Sequence, residues 1–260
     1  GKSRPQVAAL SRILDKEVPY ILTDDDLKRI QDQYVTTAKL AVKSGFDAID
    51  IKACHGYLMI EILAARRRQR SIYGGESLEG RFRFMLETID RIKEEIPGII
   101  IATRLNISDL YDDGFGVDKE NMPDFTEPVL LVGKLKSRGI SLINLSMGSP
   151  YYNPYVTRPY DNPLPGQQVP DEHPLLGVYR MISGTAQFQK RFPELFFIGS
   201  AYSYLRQIAP NVGAAVVDTS DASFIGFGRG SFAYPSLPLD LMRDGKANPA
   251  KVCITCSGCT

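Results

Sequence analysis

The chain lacks an excess of charge of either sign. Its 260 residues carry a formal net charge of +1, with lysine and arginine spread along the sequence, so charge points to neither nucleic acid nor an anionic membrane as a partner. The one basic block is RRRQR at 66–70. Long apolar runs are missing too. Nothing approaches the roughly 18 uncharged apolar residues of a membrane span, and the opening GKSRPQVAAL has no apolar core of the signal-peptide kind. No membrane partner is expected, and a cytoplasmic location follows by default. Cysteine is sparse, with four in all, three of them in the last eight residues. A disulfide framework spreads its cysteines to cross-link distant segments, so reduced thiols and a bound metal fit this distribution better.

What is present is the composition of a soluble globular protein, 43% hydrophobic and 23% charged, enough for a sizeable core in one large domain or two small ones. Nothing repeats internally. Short β-rich runs alternate with longer amphipathic ones, the pattern of βα units building a parallel sheet. Strands are expected at FDAIDI (46–51), IIIATRL (99–105), SLINLSM (141–147), LFFIGS (195–200) and SFIGFG (223–228). Helical spacing runs through 27–45, 76–98, 125–139, 173–191 and 204–220, with Gly45 and the Pro97-Gly98 pair as stops. The first thirty residues read as a loop carrying VPYILT.

Period alone does not separate a (β/α)8 barrel from a doubly wound sheet. The unusual residues tip the choice. Barrel chemistry gathers at the C-terminal ends of strands, and those ends hold KACHGY (52–57), Arg104 with Asn106, Ser146 to Gly148, Gly199-Ser200 and Gly228-Arg229. Long loops at 106–125 and 148–173 leave from the same end, as substrate loops do. The expected fold class is therefore α/β, a (β/α)8 barrel of which five strands are seen.

Three thiols spaced as C-x2-C-x2-C, at Cys253, Cys256 and Cys259, let a loop wrap one face of an iron–sulfur cubane. A tetrahedral zinc knuckle uses the same residues. Both need a fourth ligand, and the residues alone leave the two near even. Cys54, beside His55 at a strand end, is a poor fourth. Gly199-Ser200-Ala201 and Gly228-Arg229-Gly230 follow successive strands; such turns offer backbone N–H donors and one guanidinium to a phosphate. The plainer alternative is that they only turn the chain. His173, within DEHP, has no motif around it and reads as a solvated helix-start residue.

Taken in order, FDAIDIKACHGYLMIEIL, YGGESLEGRFRF, IGSAYSYLRQ, IGFGRGSFAYPSLP and CITCSGC resemble the old yellow enzyme superfamily over essentially the whole chain. Within it they are similar to the iron–sulfur flavoproteins typified by 2,4-dienoyl-CoA reductase and trimethylamine dehydrogenase. The resemblance implies an FMN-binding barrel whose C-terminal part, strands four to eight, occupies residues 1–248, with GKSRP matching the segment after the third strand. Residues 249–260 then begin a [4Fe-4S] segment whose fourth cysteine follows about a dozen residues on, beyond Thr260, and the chain is expected to be an N-terminally truncated fragment that lacks the first three strands. Iron–sulfur is favoured over zinc on this ground alone. The resemblance further implies Arg104 beside the flavin pyrimidine edge, the turns at Gly199, Ser200, Ala201, Gly228 and Arg229 at its phosphate, His55 on the substrate carbonyl and Tyr57 as the proton donor.

The implied activity is hydride transfer, with NAD(P)H as donor, to an α,β-unsaturated carbonyl or enoyl thioester. Two alternatives stand beside it: amine oxidation of the trimethylamine dehydrogenase type, for which Tyr151, Tyr152, Tyr155 and Tyr160 offer an aromatic cage, and an inactive zinc-binding barrel fragment. Three departures from the pattern bear on the substrate. Lys52 stands where the family has histidine, and it serves either as a second carbonyl donor or as a flavin contact. SPYYNPY replaces a histidine-bearing loop, leaving Tyr151 or Tyr152 to substitute. YGGESLEGR carries an extra Glu76 and has Gly80 in place of asparagine. Oligomeric state is left open.

Overall fold

The structure is a computed structural model that describes residues 21–163 and 169–258. The expectations for VPYILT up to residue 20, and for Cys259, lie outside the described residues. Contacts divide the chain into two compact units: residues up to Ser141 together with Gly148–Asn153, and Leu142–Met147 together with residues from Pro154 onward.

In the first unit, α1 (Asp24–Lys43) precedes β1 (Ala48–Ala53). It begins three residues before the expected start because Thr23 caps it: the Thr23 side chain accepts from the Asp26 N–H while the Asp26 carboxylate accepts from the Thr23 N–H, satisfying two helix-end donors reciprocally. Residues 24–30 are thus helix, not loop. Gly45 ends the segment at φ 87°, a conformation that glycine adopts without a Cβ penalty. The strand β1 pairs in parallel with β2 (Ile100–Ser108), in a register that sets Lys52 opposite Arg104. Between them lie α2 (Leu58–Leu63) and α3 (Leu78–Glu95), and α4 (Thr126–Lys136) follows β2. The core of this unit is built from Ile51, Leu63, Phe82, Phe84, Ile89, Leu105 and Leu131, all buried.

In the second unit β3 (Leu142–Met147), β4 (Phe196–Gly199) and β5 (Phe224–Ile225) pair in parallel in that order. Their connections are α5 (Pro154–Thr157) and α6 (Pro174–Arg191), then a 3-10 stretch (Tyr202–Ile208) and α7 (Ala209–Asp218); α8 (Arg229–Ala233) and α9 (Leu237–Asp244) follow β5. All five expected strands are present: β3, β4 and β5 are shorter than expected, β1 is shifted two residues onward, and β2 runs on to Ser108, so Arg104 and Asn106 lie within the strand rather than at its end. The helix expected at 204–220 is broken: Arg206 has φ 52° and ψ −128°, and the regular helix begins only at Ala209. Pro210 in the first turn fits this start, since the amide hydrogen it lacks has no partner there anyway.

Gly80 has a local reason to be glycine. It lies in the first turn of α3, where its N–H donates to Ser77 Oγ at 3.1 Å and its carbonyl accepts from the Gly74 N–H at 3.0 Å. A Cβ built there meets the Gly74 carbonyl oxygen at 2.3 Å. Gly80→Ala gains about 1 kcal/mol of helix propensity but meets backbone that is slow to yield, at a cost of about 1–3 kcal/mol. A net loss of stability is the expected result, read as a lower urea midpoint.

Candidate active site

The turn after β1 carries the densest chemistry in the first unit. His55 and Gly56 both take left-handed backbone, φ 61° and 70°, which reverses the chain within two residues; Tyr57 then heads α2. Left-handed φ is uncommon outside glycine, and here it brings three side chains of the motif to one strand end. Along β1, Ile51 and Ala53 are buried while Lys52 is exposed. Its ammonium lies 3.3 Å from the centroid of the Tyr57 ring, a cation–π geometry.

His55 is held uncharged. Burial, followed by the cations of Arg104 and Lys52, pushes its pKa down to about 3, so its imidazole remains neutral in the folded protein through the physiological range. An unfolded histidine titrates near 6.5. Between these values the unfolded chain binds the proton and the folded chain does not, so stability rises with pH and falls on acidification. The expected result is a loss with a limiting slope of about 1.4 kcal/mol per pH unit below about pH 6.5, flattened in His55→Asn and measured by urea unfolding at several pH values. Cys54 is fully buried, and that burial pushes its thiol up to about 12. A protonated buried thiol is a poor metal ligand.

Arg104, opposite Lys52 on β2, is only partly exposed. Its Nε is buried and has no hydrogen-bond partner among the described residues. Such an orphaned donor is costly in the absence of a ligand, and it fits an acceptor-bearing, electron-rich ring edge.

A buried polar network that the sequence did not reveal fixes the loops beside this turn. Asn106 Nδ2 donates to Asp109 Oδ1 and to the Gly148 carbonyl, both at 2.7 Å. Asp109 Oδ2 accepts from the Phe115 N–H at 2.8 Å. Asn153 donates to the Asp109 and Leu110 carbonyls at 2.9 and 3.0 Å and accepts from the Ser149 N–H at 2.6 Å. Tyr111 and Tyr152 stack, with centroids 4.5 Å apart. The segment Gly148–Asn153 is therefore held from both ends. It presents Tyr151, whose hydroxyl lies 3.3 Å from that of Tyr57.

In the second unit Gly199 must be small: a Cβ there meets Tyr202 Oη at 2.9 Å. Ser200 Oγ donates to the Leu145 carbonyl at 2.9 Å. Ala201 is left-handed at φ 77°. A Cβ at Gly228 meets nothing within 4 Å, and Arg229 Nη2 donates to the Pro159 carbonyl at 2.8 Å. Tyr160 is buried and lies in this unit with Tyr155, while Tyr151 and Tyr152 belong to the first. The four tyrosines of the expected cage are not gathered in either unit. His173 caps α6, its Nδ1 accepting from the Leu175 N–H at 3.2 Å, as expected of a helix-start residue.

At the C-terminal end, the Thr255 N–H points at Cys253 Sγ at 3.4 Å. Thr255 and Ser257 are left-handed, at φ 55° and 59°, and Ser257 Oγ donates to the Asn162 carbonyl at 3.1 Å. Cys253 and Cys256 are free thiols that are not fully buried. Among the described residues no group of three His, Cys, Asp or Glu side chains is placed to hold a metal.

The model of the NADH:flavin oxidoreductase / NADH oxidase family matches residues 4–147. The chain belongs to this family. Its relatives include an NADPH dehydrogenase of Geobacillus thermodenitrificans, 32% identical over 152 residues, which covers 58% of this chain and 40% of the relative. A putative 12-oxophytodienoate reductase 2 of Oryza sativa subsp. japonica is 26% identical over 230 residues, 88% of this chain and 53% of the relative. The family member thus spans about half or less of the curated relatives it matches. Among solved structures, an old yellow enzyme homologue from Zymomonas mobilis superposes with a TM-score of 0.60 at 20% identity, covering 89% of this chain and 57% of that one. A 2-naphthoyl-CoA reductase in complex with 2-naphthoyl-CoA gives 0.65 at 18% identity, covering 92% and 32%. This likeness shows the fold: the α/β barrel class expected from the sequence. Among the described residues, no helix is long and apolar enough to cross a membrane.

Proposed function

We propose that the chain is part of an FMN-dependent oxidoreductase that reduces the C=C bond of an α,β-unsaturated carbonyl or enoyl thioester, with NADPH or NADH as the electron source. The observation that carries this is Arg104, a guanidinium in the middle of β2 with a buried, unpartnered Nε, paired in register with the strand that leads into His55 and Tyr57. When bound, FMN supplies the hydride that goes to the β carbon. Arg104 would hold the electron-rich edge of the ring. His55, kept neutral, donates one N–H to the substrate carbonyl oxygen and stabilises the negative charge that develops there without carrying a charge of its own. Tyr57 holds the proton destined for the α carbon. In the second unit, the N–H groups after Gly199 and the open approach at Gly228 suit a phosphate.

A [4Fe-4S] cluster is the second cofactor we propose, placing the chain in the iron–sulfur branch of the family. The backbone N–H aimed at Cys253 Sγ and the left-handed residues following Cys253 and Cys256 suit thiolates that must converge on one centre. Cys259 would supply a third ligand. When present, such a cluster passes single electrons.

The test is an anaerobic ultraviolet–visible spectrum of the full-length protein, with released flavin, iron and acid-labile sulfide quantified. Flavin bands over a broad cluster shoulder, bleached by NADPH and restored by 2-cyclohexenone or crotonyl-CoA, are the expected outcome. A colourless protein that carries zinc would sink the redox proposal. Flavin without iron would remove only the cluster.

A further inference from the structure

We propose that Tyr57 and Tyr151 form a two-hydroxyl proton relay, with the Lys52 ammonium over the Tyr57 ring as its positioning group. The proposal rests on the reading of Tyr57 as the proton donor. Its geometry does not come from the turn alone. The two hydroxyls are 3.3 Å apart and the ring centroids 6.3 Å apart, although the residues are separated by 94 positions. Each ring is nearly half exposed, 46% for Tyr57 and 47% for Tyr151. A chance meeting of two surface rings would leave their loops free to part, but Tyr151 sits in a segment tied down by Asn153, Ser149 and Asp109 through buried hydrogen bonds. On the other side, Lys52 lies 3.3 Å from the Tyr57 ring centroid, and the left-handed His55-Gly56 pair fixes the approach of that ring.

The chemistry follows. After hydride has reached the β carbon, the enolate electron pair forms the Cα–H bond while the Tyr57 O–H bond breaks and the carbonyl re-forms. The phenolate left on Tyr57 takes the proton of Tyr151, and Tyr151 is reprotonated by water, so the net proton comes from solvent. A substrate over Tyr57 screens that hydroxyl from bulk water; the exposed Tyr151 keeps it supplied. Lys52 holds a fixed positive charge against the transient phenolate.

Two readouts test the relay. In the protein without substrate, the hydrogen bond to Tyr57, with burial, holds the Tyr151 hydroxyl above the usual tyrosine range; in ultraviolet difference titration, Tyr57→Phe should bring that transition down. In holoenzyme turning over 2-cyclohexenone, Tyr151→Phe should slow turnover about tenfold, less than the roughly 100-fold or more lost with a general acid itself, and should turn a curved solvent proton inventory into a linear one. Both substitutions keep the ring, so folding is retained. A titration unmoved by Tyr57→Phe, or an inventory still curved in Tyr151→Phe, overturns the relay. If Tyr57→Phe leaves turnover itself unchanged, Tyr57 is not the acid, and the relay falls with that assignment; a loss in Tyr57→Phe with none in Tyr151→Phe overturns the relay alone.

Discussion

Glu127→Ala lowers the unfolding free energy by about 3–5 kcal/mol, the cost of leaving a buried charge without its partner. Glu127, in the first turn of α4, joins two guanidiniums. Arg81 on α3 is 2% exposed and grips both carboxylate oxygens, at 2.8 and 2.6 Å, while also donating to the Leu63 carbonyl at 2.8 Å. Arg66 donates to the same carboxylate at 3.0 Å and to the Gly114 carbonyl at 3.0 Å. Removing the carboxylate strands two cations, one of them in the core. Arg81→Met costs less, because Glu127 keeps Arg66 and is itself 21% exposed. Because the residues share one network, the double variant should lose less than the sum of the two. Urea unfolding of the three variants measures this. The pH dependence has a fixed sign: burial alone would raise the Glu127 pKa, but Arg81 and Arg66 win and hold it below the usual value. A depressed carboxylate contributes stability above its unfolded pKa, near 4.3, and that contribution is lost as pH falls through the folded value. Glu127→Gln should therefore remove part of the acid sensitivity of the wild type.

This network also shows where sequence reading stops. Strands were legible because short apolar runs end at glycine or polar residues, and the turn after β1 was legible because its residues are consecutive. Arg81 lies within an amphipathic helix, where an arginine reads as part of the solvent face; its burial is decided by a glutamate 46 residues away. The same holds for Asn106, Asp109 and Asn153, whose side chains lock two loops through contacts about 40 residues apart. Tyr160 looked like a cage residue by its place in a tyrosine-rich loop, yet it is buried. The break at Arg206 left no mark in the apolar spacing of 204–220, because the kink changes backbone angles at one residue without disturbing composition. For Arg81, Asn106 and Asn153 the deciding partner is distant in sequence, and local pattern carries no record of it.

Arg104→Gln should weaken FMN binding by about 10- to 100-fold, the equivalent of losing a hydrogen bond to a charged group worth about 1.5–3 kcal/mol, read by flavin fluorescence on titration of the apoprotein. The stability of that apoprotein separates a ligand-holding arginine from a structural one. A structural arginine would be paired, like Arg81, and its loss would be felt in unfolding. Arg81 leaves its Nε unpartnered too, but both its Nη atoms hold Glu127; Arg104 has a buried Nε with no partner among the described residues, stands opposite Lys52 in strand register and is close enough to His55 to help push its pKa down. All three features are unfavourable to the empty protein. Replacing the cation with a neutral amide relieves this repulsion but gives up the attraction of the Asp50 carboxylate, so the apoprotein should change little in stability, while the flavin-bound form loses stability. Strain held at a site and released on binding is a recurrent trade of stability against function. Equal losses in both forms would instead make Arg104 a packing residue and remove the observation on which the flavin assignment stands.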